Sequence, residues 1–97
     1  MRVRWSDGAD QDREDIVGYI WLDNPSAARR VDAMFDDATS RLSKFPRLGK
    51  DGAIPGTREL LPHPNYRLVY QIRDAEIIVL ALIHTARQWP PAVEDQP

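Results

Sequence analysis

Asn24-Pro25 constrains this chain more than any other pair of residues. An Asn side chain can accept the free N–H groups of a helix's first turn, and Pro is well tolerated as the first helical residue. The pair therefore marks a helix start. Downstream, Ala28, Val31, Phe35, Ala38, Leu42 and Phe45 recur at intervals of 3, 4, 3, 4 and 3. That stripe predicts a helix of about twenty residues with all six side chains in the core, and Pro46 stops it.

The residues upstream supply a partner. Val3 to Trp5 alternates with Arg2 and Arg4 and reads as a short strand. Ser6 can cap a following helix, and Asp7 and Asp10 suit its positive end. Ala9, Arg13, Ile16, Val17 and Ile20 share one face of that helix, which ends near Leu22, while Asp12, Glu14 and Asp15 take the opposite face. The short link at Asp23-Asn24 makes the two helices an antiparallel hairpin. Trp21 falls off the apolar face, where an exposed Trp often anchors an interface.

Gly49, Gly52, Pro55 and Gly56 make 47–56 a loop. Three strands follow at Thr57–Leu61, Tyr66–Arg73 and Glu76–His84, with Pro62-His63-Pro64-Asn65 and Asp74-Ala75 as the turns. The expected fold is α+β in the order β-α-α-β-β-β, a helical hairpin packed on one face of a mainly antiparallel sheet. Residues 1–97 suit a single domain. Residues 93–97 read as a frayed tail.

The register yields a face. If Asp74-Ala75 is a two-residue loop, Tyr66 opposes Ile83, Leu68 opposes Ala81, Tyr70 opposes Val79 and Ile72 opposes Ile77. This apolar set should cover the helices. The other face then carries Arg67, with His84 diagonal to it. A four-residue loop at 62–65 pairs Leu60 with Arg67 and brings Arg58 to the same face. The expectation is Arg58, Arg67 and His84 together at one end of the sheet.

Charge and composition narrow the chemistry. The chain has no cysteine, so disulfides, thiolate metal sites and a Cys nucleophile are excluded. His63 and His84 on different elements give no zinc pattern, and neither a metal nor a cofactor is expected. The longest apolar run, Ile77 to Ile83, is too short for a membrane span. Nothing after Met1 reads as an export signal, and the cytoplasm is the expected compartment. A net charge of −2 disfavours a protein that grips a long phosphate backbone.

Several segments, in this order, resemble the RelE/ParE superfamily of bacterial toxins from type II toxin–antitoxin modules. They are Asn24-Pro25-Ser26-Ala27-Ala28-Arg29-Arg30, Phe45-Pro46-Arg47-Leu48-Gly49-Lys50 and Gly56-Thr57-Arg58-Glu59-Leu60-Leu61. Tyr66-Arg67-Leu68-Val69-Tyr70 and His84-Thr85-Ala86-Arg87-Gln88-Trp89-Pro90 complete the set. The resemblance implies the same fold, growth inhibition and neutralisation by a cognate antitoxin. It also implies one of two targets. ParE-like members inhibit DNA gyrase, whereas RelE-like members cut mRNA on the ribosome.

For cutting, a 2′-hydroxyl must be activated, developing charge must meet cations, and the leaving oxygen needs a proton. The resemblance places Arg58, Arg67, His84 and Arg87 in those roles if the chain is a metal-independent endoribonuclease. Otherwise the same four residues and Trp89 are candidates for binding the target or the antitoxin. Leu60 stands at a position that is basic in RelE-like members, and their C-terminal catalytic Tyr has no counterpart after Trp89. With the acidic charge, these departures favour the gyrase reading. Plainer roles remain open at this point: Arg67 as a solvent-facing strand residue, His84 as a hydrogen-bonding end to its strand.

Overall fold

Two side-chain caps punctuate the first half of the chain. Ser6 Oγ accepts the Ala9 N–H and Asn24 Oδ1 accepts the Ala27 N–H, each at 3.1 Å. They open α1 (Asp7–Asp23) and α2 (Pro25–Lys44), as their residue types require. The computed structural model describes residues 1–91, so the expected tail at 93–97 lies outside the described residues. The strands are β1 (Arg2–Trp5), β2 (Lys50–Asp51), β3 (Arg58–His63), β4 (Tyr66–Arg73) and β5 (Glu76–His84). Their order in the sheet is β1-β5-β4-β3-β2, with β1 parallel to β5 and the other pairs antiparallel. The short strand β2 corrects the expectation that 47–56 is loop throughout.

The helices lie over one face of the sheet. Phe35, Ala38 and Leu42 from α2 and Ala9 from α1 pack on Leu68, Tyr70, Ile77, Val79 and Leu82. Each large side chain in this set contributes roughly 1.5–3 kcal/mol by leaving water. Arg13 lies on the apolar stripe of α1 because it works there as a cation sandwiched between layers. Its guanidinium sits 4.9 Å from the Trp5 ring centroid and 5.8 Å from that of Phe35. It also donates to Asp32 at 2.7 Å and Asp36 at 2.8 Å, so it locks α1 to α2. No helix among the described residues is long and apolar enough to cross a membrane.

Phe45 departs from the expected core stripe. The helix ends at Lys44, and Phe45 caps it with φ −130 and ψ 78, outside helical geometry. Its side chain therefore leaves the stripe and is 63% exposed. Helical spacing predicts burial only while the backbone stays helical.

Two turns decide which residues share a face. Asp74 and Ala75 have φ of 50 and 61, the left-handed pair that a two-residue type I′ hairpin requires. Near that turn the expected register holds, with Ile72 opposite Ile77 and Tyr70 opposite Val79. Beyond it Val69 opposes Ala81, so Leu80 is an extra residue in β5. The bulge falls where β1 ends and β5 loses its second neighbour. There the Ser6 N–H donates to Val79 O at 2.9 Å and Ser6 Oγ to Leu80 O at 3.4 Å. From Ala81 onward every side chain of β5 faces the side opposite to the simple alternation. Leu82 and His84 turn toward the helices, and Leu82 is 3% exposed.

Candidate functional site

The register dissolves the expected cluster of Arg58, Arg67 and His84. In β3, Arg58 opposes Tyr70 and Leu60 opposes Leu68, because the turn shrinks to Pro64-Asn65 and a bulge between Leu60 and His63 adds one residue to the strand. Arg58 therefore shares the helix side of the sheet with Tyr70, whereas Arg67 lies on the outer side with Glu59. The bulge at Leu80 moves His84 to the helix side. Neither arginine is placed beside it by the strand pairing.

Each arginine already has partners. Arg58 Nε donates to Gly49 O at 3.0 Å, and Nη2 donates to Gly49 O at 2.6 Å and Arg47 O at 3.2 Å. Its Nη1 pairs with Asp51 at 3.1 Å. This guanidinium holds the 47–51 segment against the sheet edge. Arg67 Nε lies 3.0 Å from Glu59 Oε1, while Glu59 Oε2 accepts the Ala53 N–H at 2.8 Å. Glu59 is 7% exposed, so Arg67 neutralises a buried carboxylate.

His84 and Arg87 come together instead in a groove of about 420 Å³ between α1 and the end of β5. Asp12, Asp15, Ile16, Tyr19 and Ile20 line its helix wall, and Tyr66, Leu82, Ile83, His84 and Arg87 the strand wall. The His84 ring meets Tyr66 edge-on at 5.4 Å, and Tyr66 in turn meets Phe35 at 5.6 Å. His84 Nδ1 accepts the Ala86 N–H at 3.0 Å, so the neutral ring carries its proton on Nε2. Arg87 makes no ion pair among the described residues. Trp89 is half-buried, and its indole N–H has no hydrogen-bond partner among the described residues.

Three wall residues, Asp12, Tyr19 and Tyr66, carry no local sequence signal for a place in the groove. Asp12 is not on a solvated face: its carboxylate accepts the Leu82 N–H at 3.0 Å and closes the strand edge that β1 leaves open. Tyr66 packs on Phe35 as its register predicts and also borders the groove, as does Tyr19. The nearest thing to a signal was apolar surplus on α1. Tyr19 and Leu22 lie outside the Ala9-to-Ile20 stripe and are 79% and 85% exposed, with Trp21 at 46% beside them. Of the three, Tyr19 borders the groove, whereas Trp21 lies under the Arg29 guanidinium at 5.2 Å.

Comparison with known proteins agrees with the architecture. A chain from the chromosomal ParDE TA system of P. aeruginosa superposes with a TM-score of 0.77 at 19% identity, covering 87% of this chain and 95% of that one. The two chains share this fold. A family model described as ParE toxin of type II toxin-antitoxin system, parDE, matches residues 3–89. The putative toxin Y4kP of Sinorhizobium fredii is 41% identical over 91 residues, 92% of this chain and 93% of that protein. Toxin RelE2 of Caulobacter vibrioides is 30% identical over 86 residues, 89% of this chain and 97% of that protein. The chain belongs to the ParE toxin family of type II toxin–antitoxin systems. An antitoxin is therefore its partner.

Proposed function

We propose that this toxin arrests growth by binding DNA gyrase, and that its cognate antitoxin blocks it by covering the groove end of the domain. The state of the arginines carries this reading. Arg58 is consumed in fixing the 47–51 backbone and Arg67 in neutralising Glu59, on opposite faces of the sheet. Phosphodiester cleavage needs free cations around a proton-transferring group, and among the described residues only Arg87 accompanies His84 in the groove. Apolar and aromatic walls instead favour a protein ligand. His84, Arg87 and Trp89 supply the polar and aromatic contacts at that end, while Arg58 and Arg67 act as positioning residues. The net charge of −2 opposes docking on ribosomal RNA.

The antitoxin fits as a segment that orders on binding. An otherwise disordered chain can wrap a large surface and stay labile when free, which suits a neutralising partner.

Expression in growing cells separates the two targets. The gyrase reading expects cleaved gyrase–DNA complexes to accumulate, with mRNA 5′ ends unchanged. Codon-phased cuts in mRNA alongside normal DNA supercoiling would overturn it in favour of a ribosome-dependent endoribonuclease.

A further inference from the structure

The Phe45-Pro46-Arg47-Leu48-Gly49 segment is fixed from within while its large side chains face outward. The buried Tyr70 hydroxyl donates to Pro46 O at 2.7 Å and accepts the Gly49 N–H at 2.9 Å. Arg58 Nη2 also donates to Arg47 O and Gly49 O. Met1 is held alongside, its amino group donating to Ser43 O and its carbonyl accepting from Ser43 Oγ, both at 2.7 Å. On this backbone Phe45 is 63% exposed, Met1 44% and Leu48 43%. With Ile72, Lys44 and Arg47 they border one shallow depression. Neither Lys44 nor Arg47 makes an ion pair among the described residues. The fold accounts for Pro46 and Gly49 but has no use for an outward Phe45, Arg47 and Leu48.

We infer that this patch is a second anchoring site for the antitoxin, taking a segment in which carboxylates flank apolar side chains. The chemistry follows from the surface: two unpaired cations beside an apolar floor complement an acidic amphipathic segment. The occupant follows from the partner this family has. An antitoxin is the partner of this chain, and an exposed apolar patch beside two unpaired cations is a surface that an acidic segment of it would cover. Tyr70 and Arg58 pre-order the receiving backbone, so binding here costs little further ordering on the toxin side.

The patch lies at the Ile72 end of β4 and the groove at the Tyr66 end, so about 20 Å of strand separates them. About six to ten extended antitoxin residues reach from one to the other. Two modest anchors on one chain then bind far more tightly than either alone, because the second contact is intramolecular.

This inference rests on the toxin–antitoxin reading, and the test separates the two. The full chain and its cognate antitoxin are titrated by calorimetry, with the Phe45→Asp/Arg47→Glu variant in parallel and far-UV circular dichroism confirming its fold. At least a tenfold loss of affinity is expected. The charge-only variant Lys44→Glu/Arg47→Glu, which leaves the apolar floor intact, should also lose affinity and show a flatter salt dependence. Unchanged affinity in both variants overturns the inference alone. Loss of growth arrest with unchanged antitoxin affinity also overturns it, by giving the patch to the target. A wild-type chain that binds no antitoxin fails the toxin–antitoxin reading and takes the inference with it.

Discussion

Arg67 Nε lies 3.0 Å from Glu59 Oε1 on the outer face of the sheet, and the carboxylate it faces is almost wholly out of solvent. Removing the arginine leaves that charge buried and unmatched. Arg67→Ala should therefore cost about 2 kcal/mol in urea unfolding, reduced from a fully buried pair because Arg67 itself is partly exposed. Replacing both, as Glu59→Leu/Arg67→Met, should recover only part of the loss, because the Ala53 N–H then loses its acceptor. A cost below about 0.5 kcal/mol for Arg67→Ala would mean the pair is only a surface contact.

Arg13 ties α1 to α2 and to Trp5 of β1, so its replacement should be felt as packing and as charge. Arg13→Ala is expected to cost about 2 kcal/mol, and Arg13→Lys about half of that, since a lysine loses the forked contact to Asp32 and Asp36. Burial alone lowers the affinity of this guanidinium for its proton, but hydrogen bonds and attraction from Asp32 and Asp36 outweigh it and the net shift is upward. A raised value in the folded state gives stability that is lost only as pH climbs through that value. Arg13 thus contributes a constant amount across the neutral range. A stability profile of Arg13→Ala running parallel to wild type between mildly acid and mildly alkaline pH checks this.

Ala75 occupies a left-handed position that favours glycine, at φ 61. Relief of the Cβ strain outweighs the extra freedom glycine has when unfolded, so Ala75→Gly should stabilise by about 0.5 kcal/mol. Thermal melting should show a rise of about 2–4 °C. Ala75→Val should fall by more than that, because a β-branched residue resists positive φ.

Tyr70 and Gly49 meet too closely for change at either. A Cβ on Gly49 would sit 2.7 Å from Glu59 O and 2.9 Å from the Tyr70 hydroxyl oxygen. Backbone and a buried ring cannot yield cheaply, so Gly49→Ala should cost about 1–3 kcal/mol. Tyr70→Phe strands the Gly49 N–H and Pro46 carbonyl and should cost a similar amount. Hydrogen exchange at Gly49 should accelerate in Tyr70→Phe, and unchanged exchange would show that the hydroxyl does not hold the segment.

The helix caps and the last hairpin turn were legible because single residues encode them, whereas the end of β3 was not, since it runs through Pro62 to His63. Ser6, Asn24-Pro25 and Asp74-Ala75 each act through their own backbone or side chain, and the structure uses all of them so. The helix stripe was legible as far as Leu42 and failed at Phe45, where the backbone leaves the helix. The site was less legible. From Ile77 to Ile83 all seven residues are apolar, so β5 offers no polar–apolar alternation in which a slipped register would show. Nothing in that run marks Leu80 as surplus; the cause lies far away, where β1 stops and Ser6 and Asp12 take over the strand edge.

That surplus residue has a bearing on how relatives are read. Two chains can align a histidine at the end of this strand and still present it to opposite sides of the sheet, if only one of them carries the extra residue. Matching letters at His84 therefore transfers identity without transferring orientation. Counting residues back to the hairpin turn, and asking where the first strand lets go, becomes a precondition for assigning this histidine a role in any member of the family.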